Sequence, residues 1–226
     1  MANKYIPLNF SLKRRSCLVV GGGEVALRKI ENLLEYESDI TVIAPKIDEK
    51  IEYFAEKGGI KLEKREYKST DVNNIGMVVA ASDNNDVNKA VHDDCRKTNV
   101  PVNVVDNPDL CDFTFPAVLK RGSLSVAVST DGRAPFLAAQ LKVILGSIFP
   151  PRWRRIALYA GRFRDDVMEK WGDNSQKKAE CFNLFLQADW KEIIKAKSDE
   201  DIKLVLDKML EGGIPGEAED EENKGN

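Results

Sequence analysis

A chain of 226 residues with 42% hydrophobic content and a formal net charge of −3 can bury one sizeable core and a second small one, so one or two domains are expected. The opening MANKYIPLNF has no apolar leader, and no run approaches the ~18 apolar residues of a membrane span, which points to a cytoplasmic protein without a membrane partner. The single histidine, His92, lies in a polar helical pattern and reads as a surface residue. The four cysteines (Cys17, Cys95, Cys111, Cys181) lack CxxC spacing and read as reduced thiols, so neither a metal cluster, a disulfide framework nor a Ser-His-Asp triad is indicated.

In chain order, an apolar strand over Ser16–Val20 runs into Gly21, Gly22 and Gly23 and then into a helix expected at 25–35, with Ala26, Ile30, Leu33 and Leu34 on one face. Strands are expected at 39–44, 76–81 and 101–105, with a helix at 83–97. Strands alternating with helical patterns predict a parallel sheet with crossover helices, a Rossmann-like α/β domain over residues 1–111. FTFPAVL and LSVAVST then flank the turn KRGS as a hairpin, and a helix follows from Pro135, with Leu137, Leu141, Ile144, Leu145 and Ile148 in register, until Pro150 and Pro151 end it. Residues 112–149 thus form a separate segment. From Trp153 to Leu210 the pattern is wholly helical, with breaks expected near Gly172 and Ser198, giving a small all-helical domain over 150–212. Five acids and one lysine in the last ten residues make 213–226 an acidic, disordered tail.

A glycine cluster between a strand and a helix is chemically specific. The first glycine permits a tight turn, the second lets backbone approach a pyrophosphate, and a small third residue lets helix and strand pack. Gly21, Gly23 and Ala26 fit GxGxxA, and the helix start offers free N–H groups to phosphate. The candidate nucleotide contacts are Gly21, Gly22, Gly23, Glu24 and Val25, then Ala44, Pro45 and Lys46 after the second strand, and Ala81 and Ser82 after the strand at 76–81. A glycine turn in some other α/β protein is the plain alternative. The acid that usually holds the ribose hydroxyls is missing after the second strand. Lys46 either meets a 2′-phosphate or is a solvated lysine, and the choice between NAD and NADP stays open.

The charge is unevenly spread. From Lys120 to Arg164 there are nine lysines and arginines against one acid, Asp131, a region suited to anions. Nucleic acid as the anion, read around Trp153, Arg154 and Arg155, is disfavoured by the acidic remainder of the chain.

IPLNFSLKRRSCLVVGGGEVALRK, ITVIAP, VVAASDNNDVN, NVVDNP, FTFPAVLKRGSLSVAVSTDGRAP and ALYAGRFRDDV occur in this order from Ile6 to Val167. Together they resemble the siroheme synthase N-terminal region, the family of precorrin-2 dehydrogenases and sirohydrochlorin ferrochelatases, here without sequence for the methyltransferase that some members carry. The resemblance implies NAD-dependent oxidation of precorrin-2 to sirohydrochlorin, with ferrous iron as a second substrate in bifunctional members. It also implies a homodimer whose middle segment exchanges strands. The acid of NVVD maps to Asp106, implicated in proton transfer; the alternative is an Asp that caps the turn before Asn107 and Pro108. Ser129 matches a family serine, and Thr130 stands where some members have a second. Asn103 is either a further substrate contact or a strand-end residue. Because a tetrapyrrole fringed with carboxylates is a polyanion, Arg121, Arg133, Arg152, Arg154, Arg155, Arg162 and Arg164 suit it, with Arg121, Arg133, Arg154 and Arg155 the preferred contacts. The alternative function is an NAD-sensing regulatory module that does no chemistry.

Overall fold

The computed structural model describes residues 5–13 and 15–213; the acidic tail expected beyond Gly213 lies outside them. Contacts divide the described residues into two units, one running up to Phe115 and including Asp131–Arg133, the other comprising Pro116–Thr130 and the described residues from Ala134 onward.

The first unit is built on a five-stranded, wholly parallel sheet: β1 (Ser16–Val20), β2 (Asp39–Ile43), β3 (Lys61–Glu63), β4 (Met77–Ala80) and β5 (Val102–Val104), in the order β3-β2-β1-β4-β5. Helices α1 (Glu24–Leu34), α2 (Glu49–Glu56) and α3 (Asn85–Thr98) are the crossovers. A parallel strand covered on both faces must be apolar throughout, which is why CLVV of β1 and MVVA of β4 are buried at every position. Cys17, Val19 and Val42 pack with Ala26, Ile30 and Leu33 of α1 on one face. Leu18, Val20, Val78 and Val102 pack with Val91 and Cys95 of α3 on the other. Asn84 caps α3 by accepting from the N–H groups of Asp86 and Val87, and Asn99 ends it in the left-handed conformation at φ 54°.

The expected Rossmann-like sheet and its central elements are present. Two elements the sequence pattern does not predict are α2 and β3. Ile51 is the only buried residue of α2, and β3 is a three-residue edge strand with exposed–half-buried–exposed burial, so neither carries the long apolar period that marks an element. His92 is less exposed than expected, with 18% of its side chain accessible and Nδ1 3.1 Å from Asp93 Oδ1.

In the second unit β6 (Ala117–Arg121) and β7 (Leu124–Val128) pair antiparallel through a tight turn at Gly122, whose φ of 65° suits glycine. The strand expected from Phe113 starts only at Ala117. Helix α4 (Pro135–Ile148) packs on this hairpin yet leaves Phe136, Leu137, Val143, Ile144 and Ile148 exposed. Four more helices follow, α5 (Trp153–Trp171), α6 (Ser175–Gln187), α7 (Trp190–Ala196) and α8 (Asp199–Leu210). The breaks fall where expected, near Gly172 and at Ser198, with one more at Ala188–Asp189. Ser198 and Asp201 form a reciprocal capping box at the start of α8. Phe163, 1% exposed, stacks on Phe185 at 5.5 Å, and Phe185 meets Trp190 at 4.4 Å. Phe163→Ala is expected to cost about 3–5 kcal/mol, read as a lower denaturant midpoint.

Candidate functional site: the glycine cradle and the Asp106 turn

The carboxyl ends of parallel strands are where an α/β sheet offers a crevice, at the point where strand order reverses. Here that point lies between β1 and β4, and the glycine loop sits on it. Gly21 has φ 133°, and a Cβ there would stand 2.2 Å from the Ala81 carbonyl oxygen; a Cβ at Gly22 would stand 2.1 Å from the Lys46 carbonyl oxygen. Gly21 N–H donates to the Ile43 carbonyl at 3.0 Å, and Asp48 N–H donates to the Gly22 carbonyl at 2.8 Å. These two glycines therefore pin the loop to the ends of β4 and β2. Gly23 differs: a Cβ there meets nothing within 4 Å. It is the N-cap of α1 and makes no side-chain cap, so the first N–H groups of the helix, from Glu24 and Val25 onward, lack intrahelical acceptors. An open glycine at an uncapped helix start fits a dinucleotide pyrophosphate.

The flanks are arranged around this loop. Ala44 is buried and Pro45 and Lys46 are exposed. Ser82 is held by Asn88, whose Oδ1 accepts from Ser82 N–H at 3.0 Å and whose Nδ2 donates to the Ser82 carbonyl at 2.8 Å. Asn88 was not among the predicted residues. It shares the inward i, i+3, i+7 face of α3 with Val91 and Cys95, and a polar residue at such a position is the signal that finds it.

Asp106 lies just past β5 in a turn closed by Asn107 N–H donating to the Val104 carbonyl at 3.3 Å. It is exposed and has φ 59°, a conformation that costs non-glycine residues energy and that clusters at functional sites. Lys29 of α1 is half-buried with Nζ 4.4 Å from the Phe115 ring centre. Burial, then the neighbouring Arg28, lowers its pKa, with the Asp106 carboxylate opposing. Asp131 and Gly132 are successive left-handed residues, at φ 52° and 77°. Gly132, beside Arg133, would place a Cβ 4.0 Å from Pro108 Cγ, so within the first unit Arg133 belongs to the same edge as the Asp106 turn.

Several predicted substrate contacts have other engagements. Asn103 is 6% exposed, and its Nδ2 donates to the Phe113 carbonyl at 2.9 Å and faces Cys111 Sγ at 3.4 Å; the amide is turned inward as a brace. In the second unit Arg121 Nε donates to the Phe149 carbonyl at 2.7 Å, tying β6 to the end of α4. Arg155 donates to the Ile194 carbonyl at 3.1 Å and to Asp199 at 2.6 Å, where Tyr159 also donates. Thr130 Oγ1 accepts from Ala134 N–H at 3.2 Å. Ser129 and Arg154 are exposed.

Residues 8–117 match the model of a family of putative NAD(P)-binding domains, and residues 121–146 match that of the sirohaem biosynthesis protein central segment. The siroheme synthase of Nitrosomonas europaea is 36% identical over 208 residues, 92% of this chain and 44% of that protein. The siroheme synthase of Methylococcus capsulatus is 41% identical over 165 residues, 73% of this chain and 35% of that protein. The chain thus spans less than half the length of these relatives. A solved structure titled SirC, precorrin-2 dehydrogenase superposes with a TM-score of 0.71 at 26% identity, covering 92% of this chain and all of that one. These matches run along the segments that build the glycine loop, the Asp106 turn and the hairpin, and the chain belongs to the siroheme synthase N-terminal family.

Proposed function

We propose that this chain oxidises precorrin-2 to sirohydrochlorin with NAD. The observation that carries the reading is that one sheet edge presents both an open glycine cradle at an uncapped helix start and an exposed carboxylate, Asp106, held in a left-handed turn. Oxidation of the macrocycle removes a hydride and a proton; NAD, when bound, accepts the hydride. The protein's own part is to take the proton, and Asp106 is the base placed to do so. Gly23 and the N–H groups of Glu24 and Val25 hold the pyrophosphate, and the Asn88 brace fixes Ser82 beside it. Arg133, at the edge that carries Asp106, meets substrate carboxylates.

The finer reading extends to ferrous iron as a second substrate, with Asp106 accepting pyrrole N–H protons as the metal enters. A cytoplasmic homodimer completes the proposal, favoured by the apolar residues that α4 leaves exposed; no helix among the described residues is long and apolar enough to cross a membrane.

The test is an anaerobic assay with precorrin-2 and NAD or NADP, followed by ferrous iron. NADH formation, then a tetrapyrrole spectral change faster than in an enzyme-free control, is the expected result. NADH without that acceleration limits the chain to dehydrogenation. Nucleotide binding without NADH or NADPH overturns the proposal in favour of a regulatory module.

A further inference from the structure

Asp106 is exposed, so packing of its own side chain does not hold its φ of 59°. What surrounds the turn from inside is Cys111, 9% exposed. Its sulfur accepts from Val104 N–H at 3.2 Å and from Asn103 Nδ2 at 3.4 Å. Its thiol hydrogen faces the Val104 carbonyl at 3.2 Å and the Asn107 carbonyl at 3.3 Å. Val104 and Asn107 are the first and last residues of the turn that carries Asp106, so one side chain engages both ends of it. The far side of the bracket is also tied, since Asp112 N–H donates to the Val102 carbonyl at 2.9 Å and Val102 N–H donates to Asp112 Oδ2 at 3.1 Å. A thiol is suited to this place because its long contacts and combined donor and acceptor character let a single atom serve several backbone groups.

We propose that Cys111 is a positioning residue that holds the Asp106 carboxylate in its working orientation by bracketing the 104–107 turn. In the catalytic arm this rests on the dehydrogenase reading above; in the stability arm it does not. A group placed about 1 Å out of line can lose ~10²-fold in rate. Cys111→Ala is therefore expected to lower kcat about tenfold to a hundredfold, leave the KM for NAD unchanged because the glycine cradle is untouched, and recover substantially as Cys111→Ser, which keeps a donor and an acceptor.

The second arm reads the turn directly. Asp106→Gly relieves the left-handed conformation and should raise Tm by about 2–4 °C while Cys111 enforces it. In the Cys111→Ala background, where the turn can relax, that gain should largely vanish. An equal Tm gain in both backgrounds overturns the bracket. So does a Cys111→Ala enzyme with wild-type kcat, or one whose NAD KM rises in step with the loss of kcat. If wild-type protein makes no NADH from precorrin-2, the dehydrogenase reading fails, and the thermal cycle still decides whether Cys111 holds the turn.

Discussion

Asp106→Asn is expected to slow the proposed dehydrogenation by ~10²–10⁴-fold while the protein keeps its melting temperature and its affinity for NAD. The side chain is exposed, so no core packing is lost, and asparagine tolerates a φ of 59° as well as aspartate does. The glycine cradle lies at the ends of β1 and β4, and the substitution leaves its hydrogen bonds intact. What disappears is the only proton acceptor assigned at this edge. Single-turnover NADH formation, calorimetric NAD binding and thermal melting measured on one preparation separate these effects. A variant that retains more than about a third of the wild-type rate assigns the proton to another group.

The second large effect separates two glycines that look alike in the sequence. At Gly21 a Cβ would sit 2.2 Å from the Ala81 carbonyl oxygen, with φ at 133°. Backbone strain and overpacking together should make Gly21→Ala lose about 2–6 kcal/mol, so this variant reports on folding before it reports on nucleotide. At Gly23 the added methyl meets no protein atom within 4 Å, so Gly23→Ala should fold normally and bind NAD on the order of tenfold or more weakly, because the methyl occupies the approach to the helix N–H groups. Melting curves with and without saturating NAD test both. A Gly23→Ala protein with an undiminished NAD-induced rise in Tm removes the pyrophosphate from this place.

Legibility from sequence follows how far a residue's role is set by its chain neighbours. The strand–glycine–helix unit, α3 with its Asn84 cap and the hairpin at Gly122 are local, and their residues announce them. β3 is invisible because an edge strand with one half-buried side chain needs no apolar alternation. The break at Ala188–Asp189 is marked only by the Asp189 cap, which accepts from the N–H groups of Lys191 and Glu192. The site is less legible than the fold because an arginine's partners are chosen in three dimensions. Arg121 and Arg155 read as anion contacts by charge, yet one is tied to the end of α4 and the other clasps α7 and α8. The inward turn of Asn103 and the bracket at Cys111 depend on where residues 111–113 return to β5, which no periodicity encodes.

The strand order has a kinetic corollary. β1 is flanked by β2 and by β4, and its pairing of Cys17 with Met77 spans the whole β2–α2–β3 excursion. The Ala81 carbonyl that closes against Gly21 therefore arrives only after this long loop has been drawn shut, and loop closure is the entropic cost that slows non-local pairing. A chain emerging during synthesis carries its three glycines early but has no cradle until β4 docks. Nucleotide should then act as a late clamp on folding, binding the finished sheet and leaving the nascent half untouched.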